Sequence, residues 1–151
     1  MNKPKDALAL LTADHNEARA MFKQYEDLGD RAYATKKKLA TDVCNALTVH
    51  AQIEEEIFYP ALRTQGKEFQ DLLDEAEVEH AGAKELIAQI EGMDPEDDLY
   101  DAKVKVLGEQ IDHHATEEED EMFPKCRKTK LDLVALGEEL LARKEELMAS
   151  L

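Results

Sequence analysis

The chain has 151 residues, the length of one ordinary domain, which is enough to bury a core without disulfides. Its 35 acidic residues against 19 basic ones give a net charge of −16, and such a field repels nucleic-acid phosphates and anionic lipid. The sequence contains no apolar run of membrane-spanning length and no apolar leader typical of secreted proteins. We therefore expect a cytoplasmic protein with neither nucleic acid nor membrane as a partner.

Sparse glycine and proline divide the sequence into helical segments. With only 6 glycines and 4 prolines, the composition favours helices over a β fold with many turns. The first segment ends at Gly29 and the second at Gln65-Gly66. Pro60 lies near the end of the second segment, where a helix must stop or kink. Asp94 and Pro95 predict the N-cap and first position of the fourth helix, and Pro124 lies near its end.

Each of the four segments carries apolar residues at alternating steps of three and four, the pattern of a helix with one buried face. We predict an all-α fold, an antiparallel up-down four-helix bundle over residues 1–128. Residues 129–151 predict an extra C-terminal helix packed on the same domain. One histidine interrupts each of the four stripes, where a leucine would be expected: His15, His50, His80 and His114.

Two glutamates share these buried faces. Glu54 lies four residues after His50 and Glu118 four after His114, so each pair lies on one helix face, about 6 Å apart along the axis. Buried imidazoles and carboxylates without partners are costly, and a shared cation removes that cost. The other acids of the same two runs are predicted to be surface residues: Glu55, Glu56, Glu117, Glu119 and Asp120.

An internal repeat selects the same residues independently. The segment His50–Pro60 aligns without gaps on His114–Pro124, with the histidine, an alanine, two glutamates and the proline coinciding. Upstream, Asp14-His15 resembles Glu79-His80. Each half delivers two histidines and one glutamate, so two halves related by a pseudo-twofold axis supply a natural set of ligands for two metal ions. Because His114 is the aligned histidine, we predict that His113 lies at the solvated rim.

The ordered motif resembles the hemerythrin family, specifically the bacterial HHE cation-binding domains, over about residues 8 to 126. It reads His15, His50-x-x-x-Glu54, His80 and His114-x-x-x-Glu118. The resemblance implies two non-haem iron ions with an oxo or hydroxo bridge; the mixed ligands also admit manganese or zinc. It implies that the first two histidines ligate one iron, the last two the other, and that both glutamates bridge the pair.

One position departs from the oxygen-carrying members, which have a His-x-x-x-His pair on the third helix. The residue four before His80 is Ala76, so one histidine is missing. The alternatives are an open or water-filled position, which would favour reactivity over reversible oxygen storage, or Glu77 as a substitute ligand.

Tyr25 and Tyr59 lie on or near the stripes, and we expect both to have packing roles. The alternative is that either hydroxyl donates a hydrogen bond to an oxygen species near the metals.

The complete ligand set, without recognisable machinery for an organic substrate, favours a binding protein over an enzyme. It would bind dioxygen, nitric oxide or iron itself for sensing, scavenging or storage. The alternatives are a di-iron redox enzyme, acting on peroxide or nitric oxide, and a helical interaction module stabilised by metal. We expect a small diatomic gas or peroxide as partner and a monomer or weak homodimer.

Cys44 and Cys126 are expected to be buried thiols, with a redox bridge between them left open.

Overall fold

The computed structural model describes residues 6–151, so the predicted start of the bundle at residue 1 lies outside the described residues. Within that range every regular element is a helix and no strand occurs, which confirms the predicted all-α class. Four long helices form the bundle: α1 (Ala7–Glu26), α2 (Tyr33–Ile53), α4 (Gln70–Glu91) and α5 (Tyr100–Glu117). A turn of 3₁₀ helix, Lys67–Phe69, leads into α4.

Helices α2 and α5 each continue through a five-residue π-helical segment into a short α-helix. The segments are π1 (Glu54–Phe58) followed by α3 (Tyr59–Arg63), and π2 (Glu118–Met122) followed by α6 (Phe123–Cys126). Both begin at the glutamates that the helical spacing selected. Because π turns inside helices are rare and occur frequently at functional sites, their matched positions mark the two glutamates as special.

The π turns explain how the chain passes two prolines without leaving the helix. The Tyr59 N–H, the last before Pro60, bonds to the Glu54 carbonyl five residues back, and an equivalent bond closes π2. A proline has no N–H to contribute and obstructs an ordinary α turn. The helix nevertheless continues through Pro60 and Pro124 and ends within three residues of each, so the prolines lie near helix ends as predicted.

The fourth bundle helix begins later than the sequence predicts. Residues 94–99 form turns, and α5 starts at Tyr100. The Asp97 N–H bonds to the Asp94 carbonyl at 3.0 Å, and the Asp97 carboxylate accepts from the Asp94 N–H at 3.0 Å. A second turn follows, in which the Tyr100 N–H bonds to the Asp97 carbonyl at 3.1 Å, and Leu99 takes the N-cap position of α5. The prediction of an N-cap at Asp94 is therefore wrong.

The long helices form a ring in which α1 lies against α2 and α5, and α4 lies against the other side of both. A fifth helix, α7 (Leu133–Ala149), starts where the Asp132 side chain accepts from the Ala135 N–H at 3.0 Å, and it packs on α1 and α2. Among the described helices, none combines the length and hydropathy that crossing a bilayer requires.

The apolar core is divided into two clusters, one toward each end of the bundle. On α4, for example, Ala76 belongs to one cluster and Ala83 to the other, with His80 between them. The histidines thus form a polar layer across the middle of the core.

Cys44 and Cys126 are buried and unpaired, one in each cluster, as predicted. Burial raises the pKa of each thiol to about 12, so both stay protonated near neutral pH.

Candidate metal centre

Six buried polar side chains meet in this middle layer. Each long helix contributes one histidine, and each π segment contributes its first glutamate; together they are His15, His50, Glu54, His80, His114 and Glu118. Glu54 is completely buried and Glu118 is 2% exposed. The helical spacing and the internal repeat selected these six side chains, and the structure brings all six together.

The histidines form two pairs that the glutamates connect. Ring centroids are 4.9 Å apart in the pair His15–His50 and 5.0 Å apart in the pair His80–His114. Oε1 of Glu54 lies 3.4 Å from His50 Nε2 and 3.2 Å from His80 Nε2, so this carboxylate reaches both pairs.

Glu118 makes the complementary connection. Its Oε1 lies 3.1 Å from His15 Nε2, and its Oε2 lies 3.5 Å from His114 Nε2. Two sets of candidate ligand atoms result, each with all members within 4.8 Å of one another. The first set is His15, His50, Glu54 and Glu118, and the second set is Glu54, His80 and His114. Such geometry suits two cations side by side with carboxylates between them.

The first set fits a metal ion because its polar atoms lack partners. Four buried atoms make no hydrogen bond in the described part of the chain, although the first and last of them lie 3.1 Å apart: His15 Nε2, His50 Nε2, Glu54 Oε2 and Glu118 Oε1. A buried polar atom left unpaired costs about 1–3 kcal/mol, and here four of them lie together. One cation receiving electron pairs from these nitrogens and oxygens removes the cost. Mixed imidazole and carboxylate donors suit iron, manganese or zinc.

The second set differs because the Tyr59 hydroxyl lies within it. Its oxygen is 3.3 Å from Nε2 of both His80 and His114, 3.2 Å from Glu54 Oε1 and 2.5 Å from Glu118 Oε2. The sequence left open water or Glu77 for the position of the missing histidine, and the structure adds a phenol to the second set. The Glu77 side chain is 80% exposed and lies 4.0 Å from Arg63, so it points away from the centre.

The sequence contained a signal for this difference that the helical stripes alone do not give. In the internal repeat Tyr59 aligns with Phe123, so only one half of the centre receives a hydroxyl. Phe123 instead stacks beside His15, with ring centroids 6.2 Å apart. Tyr25, the other tyrosine considered, donates to Asp101 at 2.7 Å in the second apolar cluster and takes no part in the centre.

A ring of carboxylates, here termed the outer acids, holds the other nitrogen of each of the four central histidines. The Nδ1 contacts are His15–Glu119 at 2.8 Å, His50–Asp14 at 2.9 Å, His80–Glu55 at 2.7 Å and His114–Glu79 at 2.7 Å. Such contacts fix the ring orientation and raise the basicity of the inward nitrogen.

Glu55 lies at the surface as predicted, with its side chain 37% exposed, whereas Glu119 is half-buried at 24%. Neither contact with a central histidine was predicted. Each outer acid directly precedes or follows one of the six central residues and reaches across to a histidine of a neighbouring helix. Helical periodicity missed Glu55 and Glu119 because they lie beside the apolar stripe rather than on it. The internal repeat contained the signal, since both coincide in it and Asp14 matches Glu79 upstream.

Three of the outer acids are paired with a cation. Arg19 contacts Glu119 at 3.0 Å, and Lys84, at the equivalent place four residues after its own histidine, contacts Glu55 at 2.6 Å. Lys144 of α7 contacts Asp14 at 2.6 Å.

Glu79, the fourth outer acid, contacts histidines and has no lysine or arginine partner among the described residues. Its second oxygen lies 3.9 Å from His113 Nε2, and His113 lies 3.3 Å from Glu117. The His113 side chain is 66% exposed, which confirms its predicted place at the rim. Glu79, His113 and Glu117 form a third, partly exposed group with metal-ligand chemistry.

The charges of the centre are mutually stabilising. Burial lowers the pKa of His114, but the Glu118 and Glu54 carboxylates outweigh it and raise that pKa to about 10. Burial raises the pKa of Glu54, but His50 and His80 hold it well below its ordinary value. In the metal-free protein, imidazolium protons therefore balance the buried carboxylates, and these are the protons that a metal ion displaces.

Comparisons with known proteins bear on the family and on the fold. Residues 6–126 match the family model described as Hemerythrin HHE cation binding domain. The fold is similar to the crystal structure of a hemerythrin HHE cation binding domain-containing protein from Mycobacterium kansasii. The TM-score is 0.82, with 97% of this chain and 89% of that chain covered at 22% identity.

A curated relative from a Nostoc strain, named a DNA nickase, is 27% identical over 120 residues. The match covers 78% of this chain but 32% of the relative. This chain therefore spans about a third of the length of that relative, and the activity in its name is that of the longer protein.

Proposed function

This chain belongs to the hemerythrin HHE cation-binding family, and from that premise we propose that it is a non-haem di-iron protein. The observation that carries the proposal is the group of four buried atoms of the first set that make no hydrogen bond and that one shared cation would satisfy together. His15 and His50 hold one ion, and His80 and His114 hold the other. Glu54 and Glu118 bridge them, because each carboxylate contacts one histidine of each pair.

The protein residues around the ions position and tune the ligands. The outer acids keep each imidazole turned inward, and Tyr59 offers an oxygen to the second set. Bound iron supplies gas-binding and redox chemistry that no side chain provides. We propose dioxygen, nitric oxide or iron itself as the species bound, for sensing, scavenging or storage.

A second candidate function, a redox enzyme acting on peroxide or nitric oxide, is favoured by the Tyr59 hydroxyl. It carries a proton, lies 3.3 Å from two ligand nitrogens and is hydrogen-bonded to a bridging carboxylate. A proton donor so placed serves a reaction that reduces an oxygen species, whereas reversible binding does not need one. Turnover of peroxide or nitric oxide with a reductant, compared with the Tyr59→Phe protein, separates the two functions.

The proposal is tested by iron analysis of protein purified without oxygen from iron-replete cells. We expect about two irons per chain and a visible absorption band that changes when oxygen or nitric oxide is added. The matched variants are Glu54→Ala, which should lose both irons, and His113→Ala at the rim, which should retain them. Iron-free wild-type protein, or Glu54→Ala protein that retains two irons, would refute the proposal.

We further propose a cytoplasmic setting, supported by the acidic composition and by two buried cysteines that remain thiols. The name of the Nostoc relative is not extended to this chain. A net charge of −16 opposes binding to a phosphate backbone, and most of the relative has no counterpart here.

A further inference from the structure

A cavity of about 330 Å³ adjoins the centre. All four central histidines line it, whereas Tyr59 and the two bridging glutamates do not. Lys144 and Met148 of α7 complete its wall. An apolar cavity of about 150 Å³ holds benzene, and one water takes about 30 Å³ of liquid volume. The space beside the histidines is therefore far larger than a diatomic gas or peroxide requires.

The cavity is open because the residues around it are small. Its wall includes five alanines and one glycine: Ala18, Ala46, Ala51, Gly82, Ala83 and Ala115. Protein interiors are normally packed to crystal-like density, and a leucine at any one of the inward positions would reduce this void. Alanine alone is weak evidence for a purpose, since it is also the best helix former. The glycine is more informative.

Gly82 lies in the middle of α4, where glycine destabilises a helix relative to alanine. Packing does not account for it, because a Cβ at this position would meet nothing within 4 Å. Gly108 in α5 is the contrasting case, since its Cβ would lie 3.0 Å from the Phe22 ring. Gly82 is exposed and borders the cavity, so the absence of a side chain leaves its mouth open.

The charges at the mouth select against anions. Lys84 and Lys144, the two lysines of the described lining, are each engaged by a carboxylate at 2.6 Å. Glu17 also borders the cavity and has no cationic partner among the described residues. An incoming carboxylate would meet negative charge without an available lysine or arginine, whereas a neutral molecule avoids this penalty.

We propose that this cavity, the histidine cavity, binds a neutral, mainly hydrocarbon molecule of roughly ten non-hydrogen atoms, at about 30 Å³ for each. The molecule enters beside Gly82 and lies against the imidazole rings, as an organic ligand next to the centre. The inference rests on the proposed function, because the rings that the molecule would contact are those proposed to hold the metal ions.

The test compares two probes of similar size, benzyl alcohol and benzoate, by calorimetry on the iron-loaded full-length protein. Benzyl alcohol should bind once per chain with a dissociation constant near millimolar or lower. Benzoate should bind at least tenfold more weakly because it is an anion. Equal affinity for the two probes, or no saturable uptake of benzyl alcohol, would overturn the proposal.

Two substitutions locate the binding within the protein. Ala83→Leu fills the interior and Gly82→Leu covers the mouth, and each should weaken benzyl alcohol binding at least tenfold. Ala88→Leu, on the exposed face of the same helix, should leave the affinity unchanged. Circular dichroism and iron content verify that each variant is folded and loaded with iron. If the Ala83→Leu protein does not fold, the Gly82→Leu protein alone tests where the probe binds. Unchanged binding in a folded Gly82→Leu protein would place the probe elsewhere and refute the inference.

The iron content separates this inference from the proposed function. Wild-type protein with two irons that takes up no benzyl alcohol would refute the inference and leave the di-iron proposal standing. Iron-free protein that binds benzyl alcohol in a Gly82-dependent way would support the cavity and refute the di-iron proposal.

Discussion

Each central histidine is constrained at both ring nitrogens, with Nε2 turned toward the shared interior and Nδ1 held by an outer acid. This arrangement fixes the tautomer, because a proton on Nδ1 leaves the electron pair of Nε2 free for a metal. The outer acids therefore contribute to metal affinity without touching the ions. Glu79 gives the clearest test, since neither lysine nor arginine pairs with it among the described residues.

Glu79→Gln should lower the affinity for metal about 10–100-fold, because the neutral amide holds His114 less strongly and does not fix its tautomer. Competition with a chelator of known affinity measures the change. Glu77→Gln is the matched control on the same helix, with the same change of charge at an exposed site, and it should bind metal like the wild type. An equal loss in both variants would mean that overall charge, and not the contact with His114, sets the affinity.

Tyr59→Phe should destabilise the metal-free protein by about 1–3 kcal/mol, because it leaves the buried Glu118 oxygen without its donor. A phenylalanine ring fits this environment, since Phe123 occupies the equivalent place in the other half. Denaturant unfolding of metal-free protein measures the change. Tyr25→Phe is the control and should cost less, because its partner Asp101 is exposed and can bind water instead. A Tyr59→Phe protein as stable as wild type would exclude a stabilising role for this hydroxyl.

The helices illustrate what a sequence pattern predicts and where it fails. Apolar periodicity predicted the four bundle helices, the fifth helix and the inward histidines, because burial of one face is a strong and repeated signal. It did not predict the π segments, whose hydrogen bonds leave no distinct pattern; Pro60 and Pro124 were their only trace. The prediction of an N-cap at Asp94 was wrong because two successive turns, closed by Asp97 and Tyr100, precede the helix. The role of Tyr59 could not be predicted because its hydroxyl contacts His80 and His114, which lie on other helices.

Helix α7 is expected to fold together with the bundle. Leu140 is completely buried in the same apolar cluster as residues of α1, whereas its neighbour Leu141 is 46% exposed. Leu140→Ala should reduce the free energy of unfolding by about 2–5 kcal/mol, and Leu141→Ala by no more than about 0.5 kcal/mol. Both should unfold in a single transition when followed by circular dichroism. A separate early transition for the C-terminal helix in Leu140→Ala protein would contradict the assignment of residues 129–151 to the same domain.

Over the whole molecule, protons and metal ions compete for one centre. His114 has a folded-state pKa of about 10 against an ordinary value of 6.5, so the stability it contributes without metal is fully present below pH 6.5. That contribution should be lost as the pH rises from about 6.5 through about 10. Urea unfolding of metal-free protein at several pH values measures this, and metal affinity should change in the opposite direction. Constant or rising stability of the metal-free protein over that range would contradict the proposed imidazolium–carboxylate pairing.

The central claim is that the two sets hold two ions between the helices, and anomalous diffraction at the iron edge tests it most directly. Crystals of iron-loaded protein should give two anomalous peaks per chain. One should lie within bonding distance of His15 and His50, the other of His80 and His114, and Glu54 should contact both. The absence of iron from these positions, a single peak, or iron found only at the rim group of Glu79, His113 and Glu117 would contradict the account.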